Sequence, residues 1–240
     1  MKFDMATTAE ILAMLEEKAK PEKIQDMAYF GLTPTSRLGV SVPDMRAIAK
    51  EVGKDHRVAL ELWGTGFPEA QIVASMIADP AQLTEEQMET WVVDLNSWDT
   101  CDQVCMNLFE KSPLVLKKVR DWSIRDEEFV KRAAYALIAC LAWHDKQMDD
   151  RDFIDLFPII IDGSTDDRNY VKKAVNWALR NIGKRNLNLN QAGIKLAQDI
   201  QKIDSRPARW IAADALRELQ SEKVHQRLAK KAGLGTYSIR

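Results

Sequence analysis

Apolar residues recur along almost the whole chain at the three- and four-residue spacing of amphipathic helices, and strand-like alternation is nearly absent. That pattern restricts the chain to an all-α class. Thr7-Thr8-Ala9-Glu10 predicts an N-cap followed by a helix through Ile11, Met14 and Leu15. Residues 31–43 form the longest irregular stretch, with Thr33-Pro34 and Val42-Pro43 inside it; Pro43 and Asp44 suit the first turn of the next helix. Lys54-Asp55-His56 opens a helix, residues 64–67 break it, and Pro68 opens another. Thr84-Glu85-Glu86-Gln87 reads as a capping box, with Gln87 reaching back to the Thr84 amide. Helical drive continues to Lys230 and is lost in the tail 233–240.

The helices also repeat. Val130-Lys131-Arg132-Ala133 resembles Val171-Lys172-Lys173-Ala174 at an offset of 41 residues, and Trp177-Ala178-Leu179-Arg180 resembles Asp214-Ala215-Leu216-Arg217 at an offset of 37. Residues 68–74 read as a diverged earlier copy. Units of this length, each a pair of antiparallel helices, predict a right-handed superhelical solenoid of HEAT-like hairpins, because one hairpin cannot bury its apolar face without a neighbour. The expectation is one domain over residues 1–240, with 233–240 as a flexible tail. A compact, non-repetitive helical bundle is the alternative architecture.

The formal charge of −2 conceals an asymmetry. Residues 168–240 hold 16 basic and 5 acidic side chains, a net +11, which leaves −13 for residues 1–167. A block this basic suits a phosphate backbone; the bland alternative is a solvated helical surface. Its candidate phosphate ligands are Lys172, Lys173, Arg180, Lys184, Arg185, Arg206 and Arg209. Cys101, Cys105 and Cys140 are an odd set without framework or zinc spacing, and read as buried structural thiols. Glycine-rich phosphate loops, serine nucleophile motifs and metal-ligand clusters are not apparent, so no cofactor or metal is expected. No apolar leader opens the sequence and no apolar run reaches the ~20 residues of a spanning helix, so the expectation is a soluble, cytoplasmic chain with no membrane contact.

Two short runs bear on chemistry. In Asn96-Ser97-Trp98-Asp99-Thr100-Cys101-Asp102, Trp98 and Asp102 stand four residues apart and share a helix face. An indole beside a carboxylate suits a cationic, planar ligand. The second run is Asn176-Trp177-Ala178-Leu179-Arg180. Taken singly, each tryptophan reads as core and Asp102 as a structural ion-pair partner. Asp99 reads as a helix-start or orienting residue. Trp63, Trp91, Trp122, Trp143 and Trp210 are assigned to packing, and His56, His144 and His225 show no partner pattern.

Taken with Tyr29-Phe30-Gly31, Val42-Pro43-Asp44-Met45-Arg46, Phe129-Val130-Lys131-Arg132-Ala133 and Val171-Lys172-Lys173-Ala174, these runs resemble the DNA alkylation repair family, the AlkD-like DNA glycosylases, over residues 23–230. The resemblance implies a HEAT-like superhelix that cradles duplex DNA and excises positively charged N3- or N7-alkylated purines in base excision repair, as a monomer associated with the nucleoid when bound. It implies Asp102 as the catalytic carboxylate, Trp98 and Trp177 as the walls of the lesion cleft, and Arg132 as a DNA contact near the lesion. It also implies excision without rotating the base into a deep pocket, the route many other glycosylases take. Branches that keep the fold and lose the activity make a non-catalytic DNA-binding protein the second expectation. A peptide-binding solenoid is the third.

The chemistry suits those residues. Alkylation at N3 or N7 gives the purine a formal positive charge, so it leaves without being protonated. What remains is to stabilise the oxocarbenium charge on the deoxyribose and to deliver water to its anomeric carbon, and one carboxylate serves both. A cation–π contact adds about 0.5–2 kcal/mol, so the aromatic walls favour a cationic base by a modest factor each.

Overall fold

The computed structural model describes residues 6–29, 31–32 and 36–233. Thr33-Pro34, Phe30 and most of the tail, residues 234–240, lie outside the described residues. Among the described residues the secondary structure is helical, with no strand. The chain forms two compact units, Met1–Val115 and Leu116–Arg240.

The first unit holds α1 (Thr8–Glu17), α2 (Ile24–Tyr29), α3 (Val42–Val52), α4 (His56–Trp63), α5 (Pro68–Ile77), α6 (Glu85–Asp94) and α7 (Trp98–Asn107). Its helix starts follow their cap chemistry. Thr7 and Glu10 close a capping box on α1, Ser41 caps α3 with Pro43 in the first turn, and Asp55 accepts from the Val58 amide at 3.0 Å to start α4. At α6 only half the expected box forms. Thr84 accepts from the Gln87 amide at 3.1 Å, but the Gln87 side-chain oxygen lies 3.1 Å from His56 Nε2. A partner from another helix has displaced the local one, and His56 gains the partner that its sequence context did not reveal. The apolar α5 is buried at nearly every position and packs against α3, α4 and α7. Trp63 and Trp91 stack with centroids 4.0 Å apart, and the Trp63 indole donates to Asp94 at 2.8 Å.

The second unit follows with α8 (Val115–Ser123), α9 (Glu128–His144), α10 (Asp150–Ile154), α11 (Phe157–Gly163), α12 (Asn169–Gly183), α13 (Leu187–Gln201), α14 (Arg206–Leu219) and α15 (Glu222–Lys231). Side-chain bonds tie it together at the repeat period. Arg132 on α9 donates to the Tyr170 carbonyl at 2.6 Å and Asn181 on α12 donates to the Ala139 carbonyl at 3.1 Å. Asn176 donates to Asp214 at 2.7 Å and Arg180 to Glu218 at 2.8 Å. Start is tied to start and end to end, so α9, α12 and α14 run parallel; the intervening helices bring the chain back, which makes each repeat a hairpin. The close packing of α12 against α13 and α14 needs small residues. A Cβ on Gly183 would sit 2.6 Å from Leu219 Cδ2, and one on Gly193 would sit 3.3 Å from the Gly183 Cα. Cys101, Cys105 and Cys140 are buried and form no disulfide, as their spacing suggests. Of the five tryptophans assigned to packing, Trp63, Trp91 and Trp122 are buried, but Trp143 and Trp210 are 58% and 42% exposed.

Two carboxylates of this unit make its stability pH-dependent. Asp166 is held between Lys131 at 3.1 Å and Arg168 at 2.5 Å, and Glu218 between Lys184 at 2.9 Å and Arg180 at 2.8 Å. Burial alone would raise both pKa values, but the paired cations outweigh it and hold them below the ordinary 3.8 and 4.5. A lowered folded pKa contributes stability above the unfolded value, and that stability is lost as pH falls through the folded one. Urea unfolding followed at stepped pH is expected to show a constant midpoint down to about pH 4.5 and a falling one below it. In a Glu218→Gln, Asp166→Asn double variant the acid-side fall becomes shallower.

Candidate nucleic-acid interface and catalytic residues

The first unit places Trp98 and Asp102 on one half-buried face of α7, while Thr100, Cys101, Val104 and Cys105 face its core. This helix starts without a side-chain cap on its amides. Its first turn is fixed instead by a buried guanidinium. Arg37, from the stretch between α2 and α3, donates to both carboxylate oxygens of Asp99 at 2.8 and 2.7 Å and to Ser97 Oγ at 3.0 Å. Ser97 Oγ donates in turn to Asp99 at 2.7 Å. The Arg37 side chain is 1% exposed and that of Asp99 18%. Such bidentate geometry is rigid and directional.

Arg37 is itself held in place. The carboxylate of Glu69, buried on α5, accepts from the amides of Leu38 and Gly39 at 3.2 and 2.9 Å. Lys20 donates its amide to the Leu38 carbonyl at 2.9 Å. Gly39 has φ +75°, and a Cβ there would lie 2.3 Å from the Lys20 oxygen, so the loop needs glycine both for its conformation and for space. The series Glu69, Gly39, Arg37, Asp99 therefore orients the turn that carries Trp98 and Asp102. Asp99, read from sequence as a helix-start or orienting residue, is the acceptor of the Arg37 fork. Sequence reading missed Arg37 and Glu69; Arg37 lies in an aperiodic stretch and its partner is 62 residues away.

The second unit carries Arg132 and Trp177. Arg132 is 5% exposed and spends its NH1 donor on the Tyr170 carbonyl, so its place is set by the tie between α9 and α12. Trp177 is half-buried on α12 and lines a groove of about 620 Å³ with Trp143, Lys146, Arg180, Lys184 and Arg185 among others.

The basic candidates divide by what already engages them. Arg180 and Lys184 are paired with Glu218, and Arg180 also approaches Asp214 at 3.5 Å. Arg185 donates to the Ala142 carbonyl in the last turn of α9 and to the Asp145 and Met148 carbonyls beyond it, and lies 4.7 Å from the Phe153 ring centroid. Lys172 Nζ sits 5.0 Å from the Trp210 ring centroid. Lys173 and Arg206 are exposed, and Arg209 pairs at 2.9 Å with the fully exposed Asp204. A solvated pair of that kind opens at little cost, whereas Arg180 and Lys184 hold partly buried partners. No group of three potential metal-ligating side chains occurs among the described residues, and no described helix is long and apolar enough to cross a membrane.

Stacked helical hairpins carrying an indole–carboxylate pair and a cationic, tryptophan-lined groove define an α-helical repeat protein with surfaces suited to polyanions. The family model for "DNA alkylation repair enzyme" matches residues 11–219, and the chain belongs to that family. Among solved structures it is similar to one described as "A new family of proteins related to the HEAT-like repeat DNA glycosylases with affinity for branched DNA structures". That likeness has a TM-score of 0.77 at 19% identity and covers 93% of this chain and 96% of the other. At that identity it shows the fold, which is the HEAT-like repeat fold expected from the sequence. No curated protein matches the chain.

Proposed function

We propose that the chain is a monofunctional DNA glycosylase that hydrolyses the N-glycosidic bond of cationic N3- or N7-alkylated purines in duplex DNA, acting as a monomer without cofactor or metal. The observation that carries the reading is the half-buried pair of Trp98 and Asp102 on one face of a helix whose first turn is clamped by Arg37 and Asp99. Asp102 stabilises the oxocarbenium charge and orients water, Trp98 offers a π face to the cationic lesion, and Trp177 lines a cationic groove suited to DNA. Arg132, buried as it is, acts as a positioning residue for α12. The reading is tested by incubating the chain with methylated duplex DNA and separating released bases by chromatography. Release of 3-methyladenine or 7-methylguanine above the spontaneous rate supports it; DNA binding without release contradicts it.

The second reading, a non-catalytic DNA-structure-binding protein, is favoured by one observation, the branched-DNA affinity in the description of the similar structure. Both readings require phosphate contacts. Lys173 and Arg206 are exposed, and Arg209 is held only by a solvated pair. Affinity for undamaged duplex is therefore expected to fall steeply with salt, and Lys173→Ala to lower the log–log salt slope by about one. Titrations followed by anisotropy at stepped salt check this. A flat response would return the basic block to solvated surface.

A further inference from the structure

The groove beside Trp177 contains a tryptophan that packing does not explain. Trp143, at the end of α9, is 58% exposed. Its ring lies against the neighbouring His144 ring, centroids 5.4 Å apart and planes 24° apart. An exposed indole is an apolar surface of the kind that exists to be covered. Around it stand Lys146, Arg185, Arg227 and Lys231, and no Asp or Glu is among the described residues lining the groove.

The bonds of these four cations set them apart from Arg180 and Lys184 in the same groove. Lys146 donates to the Trp143 carbonyl, Arg185 to the Asp145 and Met148 carbonyls, Arg227 to the Lys184 carbonyl at 3.2 Å, and Lys231 to the Arg185 carbonyl at 2.7 Å. Each of these acceptors is neutral. The bonds fix the side chains without cancelling their charge. Partial burial, and then the charges of Lys146, Arg185 and Arg227, push the Lys231 ammonium below its ordinary pKa, as expected where like charges crowd without a counterion. A second groove of about 670 Å³ shares Lys146, Arg185 and Lys231 but brings in Asp149 and Asp150, so the purely cationic ground is the Trp143 side.

We propose that this groove of the second unit binds an unpaired nucleotide of a DNA strand, its base stacked on Trp143 and its phosphates held by Lys146, Arg185, Arg227 and Lys231. The proposal rests on the reading that the chain binds DNA, and adds a site and a strand state to it. Bare charge would suit any polyanion. The exposed indole selects one with π faces, and within a duplex those faces are stacked on their neighbours, whereas an unpaired base presents its face.

The test is anisotropy titration of the full chain with a blunt duplex and with the same duplex carrying a short oligothymidine tail. The tailed duplex is expected to bind several-fold tighter. Trp143→Ala is expected to weaken the tailed complex about tenfold and leave the blunt one unchanged, and Trp143→Phe to retain most of the tail preference. Arg227→Ala is expected to lower the salt slope for the tailed duplex by about one. Because Trp143 and Arg227 are exposed, the melting temperature of each variant should stay near that of the parent. Equal affinity of the parent chain for tailed and blunt DNA overturns the inference and leaves the DNA-binding reading standing. A parent chain that binds neither overturns both. Equal losses on the two DNAs for Trp143→Ala, or displacement of tailed DNA by polyglutamate as readily as by an unlabelled oligothymidine, would show a surface that reads charge alone.

Discussion

Asp99→Ala is expected to destabilise the first unit by about 3 kcal/mol, the range found when one partner of a buried ion pair is removed. The loss is large because the guanidinium left behind cannot reach water. Arg37 is 1% exposed at its side chain, and both oxygens of Asp99 that receive its donors would vanish together. Ser97 would also lose the acceptor of its hydroxyl. Replacing both partners, Arg37→Met with Asp99→Leu, is expected to recover much of the stability, because it leaves no buried charge unpaired. Recovered stability should not restore function, since the rigid clamp on the turn that carries Trp98 is gone. Urea unfolding separates these outcomes: the single variant loses its midpoint, the double variant regains it, and both excise more slowly than the parent. A single variant as stable as the parent would show that the pair is not an anchor.

The second large effect falls on chemistry. Asp102→Asn keeps the shape of the side chain and removes its charge. The proposed role needs the charge, both for the oxocarbenium ion and for orienting water, so excision is expected to fall by a hundredfold or more, on the order of what single catalytic groups contribute. Because Asp102 sits on the half-buried face of α7 and not in its core, the melting temperature should move little. Affinity for undamaged duplex should hold or rise slightly, since one negative charge has left a surface meant for a polyanion. Trp98→Ala differs in kind. It removes a π face and apolar cover, so its loss is expected to be smaller, about tenfold, and to depend on the charge of the lesion.

Much of this architecture was legible in local sequence. The cap at Thr7, the Pro43-Asp44 first turn and the start at Asp55 follow from short-range rules, and helices start there. The offsets of 37 and 41 residues between similar runs lie within one residue of the 38 and 42 that separate Arg180 from Glu218 and Asn181 from Ala139. Trp98 and Asp102 stand out by their spacing, and Trp177 by the family that its run resembles. What escaped is what depends on partners distant in the chain. Arg37 has no periodic context, and Gln87 turned from its own helix start to His56. A charge count treats Arg180 and Lys184 as available, while Glu218 engages both. Trp143 and Trp210 carry helical spacing like any core residue, and only the packed structure reveals that both stay exposed.

As proposed, this chain breaks an N-glycosidic bond using Asp102. The most direct measurement of that step is the single-turnover rate of 7-methylguanine release from a duplex bearing one such lesion, with protein in excess, for the parent chain and for Asp102→Asn side by side. Release well above the spontaneous rate is expected for the parent, with a return close to that rate for the variant while its DNA binding is intact. Equal rates for the two proteins, whether both fast or both indistinguishable from the protein-free duplex, would contradict the proposal.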